Sequence, residues 1–340
     1  MDDTRHPDPV LVTGAAGFIG FHLSRALLQA NMPVVGLDNC NDYYSPQLKR
    51  DRLAQLQPWP RFRFVEMDLA RAGDCAALFA QTRFSAVVHL AAQAGVRYSL
   101  DNPAAYVNSN LVAFGHVLEG CHHQQTPHLI YASSSSVYGA NRKLPFAEAD
   151  PVDHPVSLYG ATKRANELMA HAYSHLFGLP CTGLRFFTVY GPWGRPDMAY
   201  WTFTRKILAG EPLQVFNHGR MGRDFTYVDD VVDSLMRLLP KPPRPQPMDV
   251  QPTAASGAAP WRVFNVGNRT PVPLLEFIRL LEEVSGRKAC VEFMPMQAGD
   301  VHRTHADVSA LQQAVGFQPG TRLQDGLKHF VTWYRAYHNC

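Results

Sequence analysis

Short apolar runs alternate with longer segments whose apolar residues recur every three to four positions through the first two-thirds of the chain. The short runs predict strands over 10–13, 34–38, 62–68, 86–90, 128–133 and 181–186. The longer segments predict helices over 17–29, 45–56, 74–81, 103–122 and 157–177. Strands that are apolar on both faces and separated by helices indicate a doubly wound parallel sheet, an α/β architecture. From Gly191 onward Pro, Gly and aromatic residues loosen the pattern, which predicts a smaller C-terminal lobe. The expected division is 1–190 and, mainly, 191–340, with segments near 223–240 and 262–268 returning to the first domain. The Pro-rich stretch 241–260 reads as a flexible solvent insertion without a core role.

Composition narrows the function. With 46% hydrophobic residues among 340, the chain has ample core material, and extensive disorder is excluded. A formal charge of +3 with 18% charged residues is too balanced for a protein that grips a phosphate backbone, so no nucleic-acid partner is expected. No run approaches the roughly 18 apolar residues of a membrane helix, and the N-terminus carries acids where a signal peptide carries an apolar core. The six cysteines are scattered without a Cys-x-x-Cys, which suits reduced thiols in a cytoplasm. The histidines offer no third ligand beside His302-x-x-His305, so no metal is expected.

The first chemical motif is Thr13-Gly14-Ala15-Ala16-Gly17-Phe18-Ile19-Gly20, between the first strand and the first helix. Glycines here allow a tight turn and close approach of backbone to a pyrophosphate, while the helix N-terminus presents unpaired N–H groups. Gly14, Ala16, Gly17, Phe18 and Ile19 are therefore candidate cofactor contacts. Asp38 closes the second strand, with Asn39 beside it. A carboxylate there accepts the adenosine ribose hydroxyls and repels a 2′-phosphate, and no arginine follows in 39–41, which favours NAD over NADP. The expected fold is thus of Rossmann type, with a substrate-binding C-terminal lobe.

The second motif is Tyr159-Gly-Ala-Thr-Lys163, a phenol and an ammonium on one face of the expected fifth helix. It follows Ser133-Ser134-Ser135-Ser136-Val137-Tyr138-Gly139 at the end of the fifth strand. Taken singly these read as a helix-surface pair and a polar turn. Together they form a set that chemistry requires. A phenol of pKa near 10 is a poor base at neutral pH, and a nearby ammonium and a nicotinamide cation stabilise its anion. Tyr159 then takes a proton from a substrate alcohol while the carbon gives up hydride, and a serine shares that proton.

The Gly-x-x-Gly-x-x-Gly spacing, with Met67-Asp68-Leu69 and His89-Leu90-Ala91-Ala92-Gln93 at later strand ends, resembles the extended short-chain dehydrogenase/reductase family. The resemblance implies that Asp68 and Leu69 meet the adenine and that Leu90, Ala91, Ala92 and Gln93 lie along the cofactor. It adds Asn110, Ser133 and Phe186 to the cofactor set and makes Ser134 catalytic with Tyr159 and Lys163. Ser135 and Ser136 then face the substrate. Sugar-nucleotide 4,6-dehydratases carry Asp-Glu at those two positions and the UDP-glucuronate decarboxylases a glutamate at the second. Two serines leave oxidation and re-reduction at one carbon, which is epimerisation.

Longer stretches resemble the UDP-glucuronate 4-epimerase branch of that family. They include Leu37-Asp38-Asn-Cys-Asn41-Asp42-Tyr43-Tyr44, Ala94-Gly95-Val96-Arg97-Tyr98-Ser99 and Arg185 through Ala199. This implies Thr188 and Arg195 at the substrate C6, Arg223 at the diphosphate, Val215 and Phe216 beside uracil, and Asp300 on the uridine ribose. Gln297 stands where UDP-galactose 4-epimerases carry an arginine. The family further implies a homodimer through the helices over 103–122 and 157–177. Two other readings stay open: a 4-epimerase of neutral UDP-hexoses, and a catalytically silent protein that binds NAD and a UDP-sugar.

Overall fold

The structure is a computed structural model and describes residues 8–247, 249–296 and 301–340. Six strands fall where the sequence pattern puts them: β1 (Val10–Thr13), β2 (Val34–Asp38), β3 (Phe62–Glu66), β4 (Ala86–His89), β5 (Leu129–Ser134) and β6 (Cys181–Phe186). The smaller strands are β7 (Thr188–Tyr190), β8 (Pro212–Val215), β9 (Gly222–Tyr227), β10 (Trp261–Val266), β11 (Pro271–Pro273) and β12 (Cys290–Phe293). The main sheet has seven strands in the order β3-β2-β1-β4-β5-β6-β10, and every neighbouring pair is parallel. This is the doubly wound Rossmann order, with one strand added beyond β6. Strand order reverses between β1 and β4, and a crevice opens beyond the carboxyl ends of the strands at such a point.

β3 stops at Glu66, earlier than the pattern suggests. Met67 N still donates to Asp38 O at 3.0 Å, and Arg71 N to Asp68 O at 3.0 Å, so Met67 and Asp68 already belong to the turn. The strand lies at the sheet edge, where one row of backbone groups has no ladder partner to extend it.

Both sheet faces are covered. The helices Phe18–Gln29 and Val228–Leu238 bury Phe21, Leu27, Val231 and Leu235 on one side. On the other, Ala72–Gln81, Ala113–Gln124 and Leu158–Phe177 bury Leu78, Phe114, Leu118 and Ala170. Fully buried strands explain why these segments read as continuous apolar runs. The helix expected over 103–122 has an internal widening: Val107–Val112 forms a π turn between Pro103–Tyr106 and Ala113–Gln124. That turn carries Asn110, which is buried.

The stretch 241–260 departs from expectation. Ala255 and Ala259 are buried beside Trp261, Val263 N donates to Ala255 O at 2.8 Å, and Arg185 Nη2 donates to Ala254 O. Small side chains fill the narrow space beside the edge strand β10, so the 255–260 end of the segment has a core role, while most of 241–253 is exposed. The smaller lobe is built on β7, β9 and β11, on the β8/β12 pair, and on an aromatic core. There Phe225 stacks on Phe277 at 4.5 Å and Tyr200 meets Phe330 edge-on.

Candidate active site

The crevice at the strand ends is a single cleft of about 430 Å³, a volume typical of ligand sites. It runs from the loop after β1, across the ends of β4 and β5, to the loop after β7. Of the expected cofactor residues, Gly14, Gly17, Phe18, Ile19, Asp38, Asn39, Asp68, Leu69, Leu90, Ala91, Ala92, Gln93, Ser133, Tyr159, Lys163 and Phe186 line it. Ala16 lies behind the wall: its N–H donates to Asp38 Oδ2 at 3.2 Å and its carbonyl accepts from Arg52. Asn110 lies beneath it. Its Oδ1 accepts from Gln93 N at 2.8 Å, and its Nδ2 donates to Gln93 O and Thr162 Oγ1, each at 3.0 Å. Asn110 therefore shapes the cleft wall through Gln93, and the π turn is what aims it there.

Gly14 has φ +73, and a Cβ on it would sit 2.8 Å from Ala91 N. Only glycine lets the loop lie this close to the end of β4. The following helix starts at Phe18 with no capping side chain and no acid in its first turn, so its N-terminal N–H groups are left for a ligand. Asp38 accepts from Cys40 N at 2.9 Å as well as from Ala16 N. Burial pushes its carboxyl up, and the neighbouring Lys49 opposes that. Lys49 is itself buried, donates to Asn41 O and Oδ1 at 2.8 and 2.7 Å, and is pushed down by desolvation. Sequence reasoning passed over Lys49, although it stands on the helix following a loop already singled out.

The catalytic candidates meet at the middle of the cleft. Ser157 Oγ caps the helix Leu158–Phe177 by accepting from Gly160 N at 3.0 Å, which fixes where its first turn begins. A Cβ at Gly160 would lie 2.6 Å from Ser136 O, so glycine allows this helix to press against the serine turn. Tyr159 and Ser134 both line the cleft here. Ser134 Oγ also donates to Ser136 Oγ at 3.1 Å and accepts from Ser136 N at 3.2 Å. Lys163 is almost wholly buried, donates to Ala132 O at 3.0 Å, and is pushed down to about 8 by desolvation. Burial raises the Tyr159 phenol, while the Arg195 guanidinium and the Ser134 hydroxyl pull it down.

Ser133 lines the cleft, but its hydroxyl is engaged elsewhere. It donates to Glu167 Oε1 at 2.6 Å, and Glu167 holds Arg185 in a bidentate pair at 2.8 and 2.9 Å, both side chains fully buried. Arg185 Nη1 donates onward to Tyr138 Oη at 3.0 Å. Sequence reasoning missed Glu167, which continues the Tyr159, Lys163 spacing by one further turn.

On the substrate side Ser134, Ser135, Ser136, Thr188, Arg195 and Arg223 line the cleft. Arg195 is held by Asp197: Nε donates to Oδ1 at 3.0 Å and Nη2 to Oδ2, while Tyr43 Oη donates to Oδ2 at 3.3 Å. The pair holds the Asp197 carboxyl below its usual range. Neither Asp197 nor Tyr43 was singled out, although both lie in quoted stretches. Arg223 Nη1 donates to Gly222 O at 2.9 Å. Val215 does not line the cleft: it is fully buried with Leu213 and Ile278 in the small lobe. Phe216 does not line the cleft either; its ring lies 5.2 Å from the Arg97 guanidinium. Asp300 and Gln297 lie outside the described residues.

The parallel sheet, uncapped helix N-terminus and Ser134/Tyr159/Lys163 group define a dinucleotide-dependent enzyme of α/β architecture. The chain belongs to the NAD dependent epimerase/dehydratase family, whose model matches residues 10–251. It is 49% identical over 341 residues to UDP-glucuronate 4-epimerase 3 of Arabidopsis thaliana, covering 99% of this chain and 78% of that one. Its fold matches the UDP-glucuronic acid 4-epimerase of Bacillus cereus in complex with UDP-glucuronic acid and NAD. That match has a TM-score of 0.86 at 33% identity and covers 97% of this chain and 99% of that one. The UDP-glucose 4-epimerase of Thermotoga maritima, solved with UDP-glucose, matches with a TM-score of 0.84 at 28% identity and the same coverage.

Proposed function

We propose that this chain interconverts UDP-glucuronate and UDP-galacturonate, oxidising C4 and reducing it again from the opposite face. The residues present fit NAD. The turn at Gly14 leaves space that a Cβ would fill, the helix at Phe18 begins uncapped, and Asp38 stands where a ribose hydroxyl would be accepted. Bound NAD supplies the acceptor and donor of hydride at C4. Tyr159 takes the O4 proton and later returns it, Ser134 shares that proton, and Arg195 pulls the phenol down towards its anion. Lys163, one helical turn on, is assigned to the same task as a nearby ammonium. Cofactor contacts fall to the strand-end residues that line the cleft, with Asn110 behind Gln93.

The observation that carries the reading is the pairing of a Ser134/Tyr159 centre with a cation, Arg195, across one cleft. A C6 carboxylate is met by Arg195 and Thr188, with Ser135 and Ser136 alongside. Neither serine can serve as the acid or base of an elimination. Arg223 is assigned to the diphosphate and Asp300 to the uridine ribose. The division into a cofactor domain over 1–190 and a sugar-nucleotide lobe mainly over 191–340 belongs to the same proposal.

A homodimer in the cytoplasm completes it. Val107, Val112, Leu168, Leu176 and Phe177 are exposed on the helices over 103–124 and 158–177, an apolar set that a second copy would cover. Among the described residues no helix is long and apolar enough to cross a membrane.

Incubation of purified protein with UDP-glucuronate, followed by chromatography of the products, tests the reading. UDP-galacturonate is expected. A UDP-pentose as main product, or turnover of UDP-glucose alone, would overturn it.

A further inference from the structure

Arg52 takes no part in the chemistry above, yet its guanidinium makes five hydrogen bonds. It is wholly buried, at 0% exposure. Nη1 donates to Ala16 O and Tyr44 Oη, each at 2.8 Å. Nε and Nη2 both donate to Trp193 O, at 3.1 and 2.7 Å, and Nη2 also reaches Gly194 O at 2.8 Å. Its acceptors are thus three backbone carbonyls and one phenol, and among the described residues no carboxylate pairs with it. A buried guanidinium stays charged, so holding it on neutral oxygens alone is costly for a purpose that only stability would serve.

Its acceptors come from two places far apart in sequence. Ala16 lies in the loop that is proposed to hold the pyrophosphate, and its N–H donates to Asp38. Trp193 and Gly194 immediately precede Arg195. A second tether lies alongside: buried His22, on the helix that opens at that same loop, donates from Nε2 to Pro192 O at 2.9 Å. Three consecutive carbonyls, of Pro192, Trp193 and Gly194, are therefore held by side chains from the cofactor half. Trp193 has φ +59, a left-handed backbone unfavourable to a bulky residue, so the loop needs such tethers to keep its shape.

We propose that Arg52 is a positioning residue that couples the cofactor loop to the substrate loop, so that NAD held by the loop containing Gly14 and Gly17 fixes Arg195 in place for the C6 carboxylate. The phosphate loop and the Arg195 loop then move as one body through a single guanidinium. Loss of the fork leaves Tyr159, Ser134 and Lys163 intact but frees Arg195 from the state of the cofactor site. This rests on the assignment of Arg195 to the C6 carboxylate.

The experiment compares wild type with Arg52→Lys, Arg195→Ala and the double variant. Arg52→Lys keeps the charge and cannot span the four acceptors. It is expected to raise KM for UDP-glucuronate about tenfold or more, with a smaller change in kcat, and to weaken NAD retention on gel filtration. In the Arg195→Ala background the same substitution should leave KM nearly unchanged, because the residue it acts through is gone. Additive effects on KM, or an unchanged KM and NAD content in Arg52→Lys, overturn the proposal. A merely structural role would lower the melting temperature without that non-additivity. Hydrogen exchange gives a readout that requires no activity: adding NAD to cofactor-stripped protein should slow exchange of amides 193–198 in wild type but not in Arg52→Lys. Should Arg52→Lys fail to fold, Tyr44→Phe, which removes one acceptor, should weaken this protection in the same direction, and unchanged protection there counts against the coupling. If Arg195→Ala alone leaves KM unchanged, the C6 assignment fails, while the exchange result still decides whether the two loops are linked.

Discussion

At the scale of single residues, the proposal assigns proton transfer to Tyr159 and substrate recognition chiefly to Arg195, and a variant tests each assignment. Tyr159→Phe keeps the ring that lies edge-on to Tyr106 and removes only the hydroxyl. Turnover should fall by about 10²–10⁴-fold while NAD stays bound, as read from kcat and from cofactor content after gel filtration. A rate near wild type would mean that another group takes the O4 proton. Arg195, proposed to meet C6, also pulls the Tyr159 phenol down by its charge. Arg195→Ala should therefore lose about 10- to 150-fold in kcat/KM for UDP-glucuronate, the worth of a charged hydrogen bond, and far less for any UDP-glucose turnover. It also leaves Asp197 without its cationic partner, and that carboxylate raises the phenol. Both changes push the Tyr159 pKa up, so the acid limb of the pH–rate profile should shift to higher pH. The 4-keto acid formed during turnover loses CO₂ when its carboxylate swings free, so the variant should also release some UDP-pentose. Equal loss on both substrates with an unshifted profile would remove Arg195 from C6.

At the scale of elements, what could be read from sequence was set by periodicity and by glycine. β1, β2, β4 and β6 are buried on both faces, and their apolar runs announced them. The turn at Gly14 was legible because a backbone with φ +73 demands glycine. The π turn at Val107–Val112 was not, since one extra residue per turn leaves an apolar pattern almost unchanged over so short a span. Nor were the Glu167–Arg185 pair and the Arg195–Asp197 pair, because partners 18 residues apart or in a loop obey no repeat. The burial of Ala255 and Ala259 was hidden by composition: Pro and Ala read as solvent loop until an edge strand offers them a narrow site. Gly160 shows how finely elements are fitted. A methyl there would lie 2.6 Å from Ser136 O and push the helix that carries Tyr159 off the serine turn. Gly160→Ala should lower kcat by about 10²-fold, the cost of a misplacement near 1 Å, with only a modest drop in melting temperature. Unchanged kcat would show that the helix can shift without moving the phenol.

At the scale of the whole molecule, several buried histidines brace the fold, and burial opposes their protonation. His89, at the end of β4, is buried, hydrogen-bonds with Thr13 Oγ1 at 2.9 Å across to β1, and lies 5.3 Å from the Phe114 ring. Desolvation, with a small contribution from Lys163, pushes it down to about 3. His22 is pushed down to about 3 and His128 to about 4, again mainly by burial. The sign follows from proton counts. Between pH 3 and about 6.5 the unfolded chain protonates His89 and the folded protein does not, so the unfolded state binds more protons and stability falls as pH falls through this window. Each such histidine contributes a slope of about 1.4 kcal/mol per pH unit there. Buried Asp38 and Glu148 have carboxyls pushed up and contribute in the opposite sense, so the wild-type curve is a sum of several groups. A substitution separates them. His89→Gln keeps a hydrogen-bonding side chain beside Thr13 and removes the titration. Its stability, measured by urea unfolding from pH 4.5 to pH 6, should rise with pH about 1.4 kcal/mol per unit less steeply than that of wild type. Above about pH 8 the two curves should run parallel, since neither state of the wild type carries an appreciable proton on His89 there. Parallel curves throughout the acid range would mean that His89 ionises in the folded protein and that the joint between β1 and β4, where the cofactor loop begins, is open to water.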